Sequence, residues 1–246
     1  MLQTVKLKNP PIKEALVSIV FSHPSGIKLK DFDQYIRYLS DKYPDKENQL
    51  RNTISVQVES NEVSNDVEPI GYVLSSTDKK NYIRLNVNSL SIHRVEPYES
   101  WENLLREVKR NWIKFSELFA DIQIEHISVR YVNVISIELS EENLKFEDYL
   151  TLLPQIPDTL SNVVDGYFMQ IKMPDTLKKI DSVITEFYTI NQKQIEITLD
   201  INVIKNLDAP IDSTEILWNI LSDLRDFKNK IFFNSITETT KKLCNE

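Results

Sequence analysis

The sequence contains few glycines, and this excludes the common phosphate-binding loops. Average usage would give roughly 17 glycines in a chain of this length, whereas the 246 residues include three, Gly26, Gly71 and Gly166. No two of them lie close enough together to form the glycine-rich turn of a Rossmann or P-loop fingerprint. A nucleotide site of either type is therefore excluded.

Cysteine and histidine are also scarce, which limits metal and redox chemistry. The one cysteine, Cys244, allows neither an intramolecular disulfide nor a cysteine-based zinc site. His23, His93 and His126 lie far apart without HExxH or HxH spacing, and we interpret them as ordinary surface or strand-end residues. Any metal or cofactor site would have to be assembled by the fold from distant residues. We expect none.

The chain has no excess of basic residues and no long apolar run. Its 29 Lys and Arg are outnumbered by 37 Asp and Glu, giving a net charge of −8, which opposes generic binding to nucleic acid. The first residues lack the apolar stretch of a signal peptide, and no segment approaches the 18 apolar residues of a membrane span. We therefore expect a cytoplasmic protein that binds neither membranes nor nucleic acid in a generic manner.

Hydrophobic periodicity predicts alternating strands and amphipathic helices in the first half of the chain. Residues alternate between apolar and polar in each predicted strand, and an apolar stripe at helical spacing runs along residues 99–119. The predicted elements are a strand at 15–22, a helix at 31–43, strands at 53–58, 70–76, 82–87 and 91–95, and a helix at 99–119.

The second half repeats this order with one strand fewer. Asp212 and Glu215 have capping-box spacing, which predicts the start of the last long helix, and the prolines at 154 and 157 indicate a surface loop at 154–165. The predicted elements are a strand at 126–138, a helix at 141–153, strands at 167–173, 178–189 and 193–203, and a helix from about 212 to 236.

The matching element order predicts an internal duplication. Aromatic residues recur at offsets of 114 and 117 residues, as in the pairs Phe32 and Phe146, Tyr35 and Tyr149, Trp101 and Trp218, and Phe115 and Phe232. We predict a single α+β domain, 1–246, built from duplicated β-α-β(3–4)-α halves at about 10–122 and 124–240. Such halves would form a curved antiparallel sheet with two long helices on one face. The alternative is that two amphipathic helices share these positions by chance.

Asn133 departs most clearly from its pattern. It occupies the apolar face of the strand predicted at 126–138, where an unpartnered amide would cost a few kcal/mol, so it must be hydrogen-bonded within the structure or by a ligand. Arg130 on the opposite face and Arg84 on the polar face of 82–87 could line a concave polar surface, although such arginines are usually paired with acidic neighbours. We take Arg84, Arg130 and Asn133 as candidate binding residues.

Two weaker patterns suggest catalysis, and we assign no catalytic residue from either. Asp165 followed by residues 170–172 (Gln-Ile-Lys) loosely resembles the acidic and (D/E/Q)xK elements of metal-dependent nucleases. Glu186 could approach Glu196 or Asp200 across a hairpin as a carboxylate pair for acid and base catalysis. The first pattern is very common by chance, and charges on the solvent face of a hairpin explain the second equally well.

Four sequence blocks, in order along the whole chain, resemble the "sporadically distributed" family of uncharacterised prokaryotic proteins, which have a similar length. The blocks are residues 9–21, 98–101, 129–135 and 230–237. The resemblance brings no activity or catalytic residue, and the histidine that members often carry in the last helix is absent from residues 224–227. Patchy distribution is typical of mobile islands, including toxin–antitoxin and phage-defence loci. The resemblance therefore implies a protein partner encoded nearby.

Two functions follow from these observations. The first is a non-enzymatic interaction protein or accessory subunit of a toxin–antitoxin-like or phage-defence locus, with a homodimer as a further arrangement to test. The alternative is a ligand-binding or metal-dependent hydrolytic domain that acts on a nucleotide or nucleic acid. Its pocket would be the polar sheet face around Arg84, Arg130 and Asn133.

Overall fold

A central antiparallel sheet organises the chain in a computed structural model that describes residues 7–57, 62–138, 145–157, 159–160, 166–190, 194–211 and 214–245. The described residues form nine strands in this sheet. The strands are β1 (Ile12–Ser22), β2 (Asp45–Gln57), β3 (Glu62–Ser75), β4 (Asn81–Asn86), β5 (Ser89–Val95), β6 (Gln123–Glu138), β7 (Phe168–Asp175), β8 (Ile180–Ile190) and β9 (Gln194–Ile211).

Four α-helices accompany the sheet in the described part of the chain. They are α1 (Asp33–Leu39), α2 (Trp101–Leu118), α3 (Thr214–Ser235) and α4 (Glu238–Leu243). Two short 3-10 turns, Leu29–Phe32 and Phe146–Asp148, precede α1 and follow β6. None of these helices is long and apolar enough to cross a membrane. The antiparallel sheet and these helices confirm the predicted α+β class.

The strand order is β2-β3-β4-β5-β1-β6-β9-β8-β7, with every neighbouring pair antiparallel. β1 and β6 lie at the centre, and Val17 of β1 is in register with both Ile92 and Val129. Residues paired across a ladder lie on the same face of a sheet. The apolar sides of neighbouring strands therefore join into one continuous surface.

This apolar surface is the core of the protein. Val17, Ile127 and Ile197 are fully buried on it, since alternation places every second residue of a strand on the same side. α2 contacts β5 and β1, and α3 contacts β9 and β6. The ring of Phe115 on α2 lies 5.2 Å from that of Phe21. Removal of these apolar groups from water, about 25 cal/mol per Å², stabilises the packing of helices on the sheet.

The prediction of a helix at 141–153 is wrong for residues 145–153, the part that the structure describes. These residues contain one 3-10 turn. Hydrogen bonds to the end of α3 replace helical ones here. Leu150 forms an isolated β-bridge with Ile236, and the carbonyl of Tyr149 accepts from Thr237 N–H at 3.1 Å and from the Thr240 hydroxyl at 2.6 Å. The predicted capping residue Asp212 lies outside the described residues.

Candidate functional site

A cavity of about 580 Å³ lies where β6, α3, the start of α2 and the N-terminal segment 7–12 meet. Two backbone hydrogen bonds hold that segment in place. Asn9 N–H donates to the carbonyl of Cys244 at 2.8 Å, and Val134 N–H donates to the carbonyl of Pro11 at 2.7 Å. A volume of this size is typical of small-molecule sites.

The floor of the cavity is formed by Tyr131 and Asn133, two residues apart on β6 and therefore on the same face. Asn133 is 2% exposed. Its Nδ2 donates to the carbonyl of Leu199 on β9 at 2.9 Å, so the prediction that this amide is hydrogen-bonded is confirmed. Asn133 ties the two strands together and also borders the cavity.

The wall opposite the sheet comes from one face of α3. Arg225, Lys228, Asn229 and Phe232 all line the cavity, since residues spaced by three and four lie on one side of a helix. Lys228 is only 6% exposed, and its Nζ lies 3.7 Å from the centroid of the Tyr131 ring. None of the ion pairs among the described residues involves this amine.

Burial changes the charge state of Lys228. Desolvation, together with a smaller contribution from the nearby Arg225 guanidinium, lowers the pKa of its amine to about 7. Near neutral pH a substantial fraction of this amine is therefore unprotonated. An unprotonated lysine beside a cavity can act as a nucleophile or as an acceptor of a proton from an incoming acid.

Two tyrosines contribute hydroxyl groups to the same cavity. The Tyr98 and Tyr131 hydroxyls lie 2.7 Å apart, and their rings meet edge to face with centroids 5.5 Å apart. Burial raises the pKa of Tyr98 to about 12 and the pKa of Tyr131 well above its ordinary value. Both phenols are therefore protonated at physiological pH. One hydroxyl donates to the other, and the second retains a proton that it can donate to another acceptor.

The start of α2 provides a further electrostatic contribution. Ser100 caps this 18-residue helix by accepting a hydrogen bond from Asn103 N–H, and Ser100, Trp101 and Glu102 border the cavity. A helix N-terminus carries a partial positive charge that favours anions. Together with Arg225 and Lys228, it makes this end of the cavity suited to an anionic group.

The face of the sheet opposite this cavity carries a second polar cluster. Arg130 donates two hydrogen bonds to Asp200, at 2.8 and 2.5 Å, which confirms that this arginine is paired with an acidic neighbour. His93 Nδ1 lies 2.6 Å from Glu14 Oε1. This hydrogen bond lowers the pKa of Glu14 most, and the charges of Arg84 and Arg130 lower it further.

The interpretation of His93 as an ordinary surface residue is wrong. It is 5% exposed, and its strand β5 is internal, between β4 and β1. The grouping of Arg84, Arg130 and Asn133 in one pocket is also wrong. Arg84 and Arg130 lie on one face of the sheet, whereas Asn133 lies on the other face, where Tyr131 contacts Lys228 of α3. Side chains at 130 and 133 point to opposite sides because strand residues alternate.

The predicted carboxylate pair across the β8–β9 hairpin does not form. Glu186 is in register with Leu199 and is fully buried on the helix side, so it lies on the face opposite Asp200 and Glu196. The Tyr167 hydroxyl donates to Glu186 at 2.6 Å. Burial raises the pKa of Glu186 to about 7.

The nuclease-like pattern receives no support from the described residues. Asp165 lies outside them, and Gln170 donates to the Thr185 hydroxyl at 3.0 Å on the sheet surface. In the part of the chain that the structure describes, no three His, Cys, Asp or Glu side chains are grouped as metal ligands.

Sequence analysis missed the residues that form the cavity, above all Arg225, Lys228 and Tyr98. A signal for Lys228 was present. It follows Leu224 by four residues and precedes Ile231 by three, so a charged residue interrupts the apolar stripe of α3. Such an interruption is the helical counterpart of the polar Asn133 in the apolar face of β6.

Comparison with known proteins adds no constraint: no family model matches the chain, and no curated protein matches it. The geometry of the cavity is therefore the basis for inferring function. Lys228 is its most unusual group, since buried charges are normally paired.

Proposed function

We propose that the protein binds a small organic ligand with an anionic group, such as a carboxylate or a phosphate, in the cavity between β6 and α3. The observation that carries this proposal is the Lys228 amine, which is buried beside a cavity of about 580 Å³ and forms no ion pair in the described structure. The alternative function from the sequence was a ligand-binding or metal-dependent hydrolytic domain. This proposal keeps ligand binding and assigns it to a different set of residues.

The energetics favour an anion as the missing partner. Desolvation of a lysine without a counter-ion costs several kcal/mol or removes its proton, and burial does lower the pKa of Lys228 to about 7. An anionic ligand would restore the proton and pair with it, while Arg225 and the start of α2 supply further attraction. Tyr98 and Phe232 offer apolar surface to the organic part of the ligand.

The test is isothermal titration calorimetry with phenyl phosphate as the probe, at pH 6.5 and pH 8.5. Because the ligand pairs with protonated Lys228, we expect proton uptake on binding, visible as a dependence of the enthalpy on the buffer, and weaker binding at pH 8.5. Lys228→Met should weaken binding at least tenfold, since a charge-assisted hydrogen bond contributes about 1.5 to 3 kcal/mol.

The matched control is Lys230→Met, which removes an exposed lysine two positions away on α3. This variant should bind phenyl phosphate like the wild type. Equal affinity in the wild type and in Lys228→Met would disprove the proposal, as would the absence of binding by phenyl phosphate, inorganic phosphate and benzoate alike.

A protein partner is a second candidate, favoured by one specific observation. The β7–β8 hairpin exposes large apolar side chains, including Phe168 at 69% and Leu177 at 96%, and β7 is the outermost strand of the sheet in the described residues. Exposed apolar edges are unusual in proteins that act alone. Under this candidate the chain is a cytoplasmic accessory subunit that pairs with a protein encoded nearby at a toxin–antitoxin-like or phage-defence locus.

The partner candidate is tested by purifying tagged protein from its host and comparing Phe168→Ser with Leu160→Ser. Leu160 is also exposed, at 61%, but lies outside the hairpin. Loss of one stoichiometric companion in Phe168→Ser alone would support the candidate. Light scattering distinguishes a second copy of this chain from another protein, and retention of the companion in both variants would exclude the hairpin as the interface.

We also propose that the chain arose by internal duplication, with both long helices on one face of the sheet. Membership of the sporadically distributed family is proposed as well. The strand order supports duplication, because β5-β4-β3 extend outward from β1 in the same way as β9-β8-β7 extend from β6. Two buried polar residues, Asn111 of α2 and Lys228 of α3, also lie at the offset of 117 residues.

A further inference from the structure

The cavity between β6 and α3 keeps a primary amine from water and next to a second cation. Lys228 is 6% exposed, and Arg225 precedes it by three residues on the same face of α3. A lysine that is desolvated and close to another cation loses its proton more readily than a free lysine. The unprotonated amine is the form that attacks carbonyl carbon, so the same amine that pairs with an anion when protonated can capture a carbonyl compound when neutral.

We propose that Lys228 binds its ligand covalently, as an imine with an aldehyde or ketone that also carries a carboxylate or phosphate group. This inference rests on the proposed function, because Arg225 and the start of α2 hold the anionic group there. These separate roles explain why α3 places two basic residues, Arg225 and Lys228, against the same cavity. Arg225 remains charged and attracts the anion, while Lys228 supplies the nucleophile.

The reaction is balanced without an oxidant or a reductant. The lone pair of Lys228 Nζ forms a bond to the carbonyl carbon, and the carbonyl oxygen becomes a hydroxyl by taking up a proton. The nitrogen gives up one of its two protons to form the neutral carbinolamine. The hydroxyl then takes up a second proton and leaves as water, and the nitrogen gives up its other proton as the C=N bond forms, so the two protons gained by oxygen equal the two lost by nitrogen. Tyr98 and Tyr131 line the same cavity with protonated hydroxyls, and the hydroxyl that does not donate to the other can donate a hydrogen bond to the oxygen during these steps.

The other charged groups around the cavity do not cancel this effect. The titratable and charged residues that border it are Lys8, Tyr98, Glu99, Glu102, Tyr131 and Arg225. Glu99 is paired with Arg94 at 2.7 Å. Desolvation and then Arg225 are the causes that lower the pKa of Lys228 to about 7, and no carboxylate raises it.

The experiment uses pyridoxal 5′-phosphate, an aldehyde with a phosphate group, as the probe on the folded wild-type protein at pH 7.5. Borohydride reduces the imine to a stable amine, and peptide mapping by mass spectrometry locates it. We expect Lys228 to be labelled at least ten times faster than any other lysine. Pyridoxal, which lacks the phosphate, should label Lys228 at least tenfold more slowly than pyridoxal 5′-phosphate does.

Variants separate the two roles. Arg225→Gln should slow labelling by pyridoxal 5′-phosphate but leave the rate with pyridoxal unchanged. Lys228→Met should abolish the selective adduct, and Lys230→Arg should retain it. Labelling spread evenly over exposed lysines, with none selective for Lys228, would overturn the inference.

The failure of this inference and the failure of the proposed function give different results. If phenyl phosphate binds in a Lys228-dependent manner while neither pyridoxal 5′-phosphate nor glyoxylate forms an adduct at Lys228, the site binds anions without covalent capture and the inference is wrong. If phenyl phosphate does not bind and no adduct forms, the proposed function itself is wrong.

Discussion

Lys228 Nζ lies 3.7 Å from the centroid of the Tyr131 ring, a contact that joins the middle of α3 to the centre of the sheet. The face of an aromatic ring attracts a cation, so this contact favours the protonated amine. Burial favours the neutral amine, and the lowered pKa of Lys228 means that burial has the larger effect. The protein therefore retains a lysine that destabilises its own folded state at neutral pH.

The first prediction concerns Lys228→Met. The amine has a pKa of about 7 in the folded state against 10.5 ordinarily, so between these values the unfolded chain binds a proton that the folded chain does not. The free energy of unfolding of the wild type therefore rises with pH in this window. We expect the variant to be more stable at pH 7, with an advantage that shrinks by up to about 1.4 kcal/mol per pH unit towards pH 10.

Urea unfolding at pH 7, 8, 9 and 10 measures this difference. Lys230→Met, which removes an exposed lysine of the same helix, is measured in parallel as the control. A constant gap between Lys228→Met and the wild type over the whole range would mean that Lys228 is protonated in the folded protein.

Local periodicity explains which parts of the fold could be predicted. The alternation at residues 195–203 predicted β9, and the apolar stripe at 99–119 predicted α2. Both predictions succeeded because each pattern depends only on residues within the element itself. The helix prediction failed at 145–153 because the backbone of this stretch forms hydrogen bonds with residues after α3, more than 80 positions away. No local pattern carries that information.

The candidate site was predictable only in part, for a similar reason. Asn133 was visible because it breaks the alternation of one strand. Lys228 and Tyr98, which line the same cavity, come from segments that only the tertiary fold brings to β6. The separation of Arg130 from Asn133, by contrast, follows from their odd spacing on one strand and could have been predicted.

The second prediction concerns Glu186→Gln. Burial raises the pKa of Glu186 to about 7 from 4.5, so the folded state holds a proton that the unfolded chain releases between these values. The stabilising effect of this proton is fully present below pH 4.5 and is lost as the pH rises through 7. Glutamine stays neutral, so the variant should gain up to about 3 kcal/mol relative to wild type between pH 4.5 and pH 8.

Chemical denaturation of both proteins at pH 4.5, 6 and 8 checks this expectation. Glu196→Gln is the control, because Glu196 lies on the opposite face of the sheet. It is measured under the same conditions. If the difference between Glu186→Gln and the wild type is constant over this range, the pKa of Glu186 is the same in the folded and unfolded states, which contradicts the prediction.

The third prediction concerns the Arg130–Asp200 pair on the sheet face opposite the cavity. The side chains are 45% and 15% exposed, and partly exposed ion pairs contribute little to stability even with good geometry. In a double-mutant cycle of Arg130→Ala and Asp200→Ala we expect a coupling free energy of about 0.5 to 1 kcal/mol. Because salt screens exposed charges, the coupling should fall in 1 M NaCl. A coupling that is unchanged by salt would mean that the pair is shielded from solvent.

The fourth prediction concerns Gly71, where β3 passes close to β4. A Cβ at this position would lie 2.1 Å from Asn86 Oδ1 and 2.4 Å from the carbonyl oxygen of Leu85. The Asn86 side chain can rotate away, but the Leu85 carbonyl belongs to the backbone of β4. Gly71→Ala should therefore lower the free energy of unfolding by about 2 to 3 kcal/mol, as overpacking does elsewhere.

The control is Gly166→Ala, whose Cβ would meet no atom within 4 Å, and it should change stability by less than about 0.5 kcal/mol. The double variant Gly71→Ala/Asn86→Ala separates the two contacts at Gly71. If the Leu85 carbonyl is the obstacle, removal of the Asn86 side chain recovers little of the lost stability. Full recovery would instead show that β3 and β4 can separate slightly and that the asparagine alone requires glycine at this position.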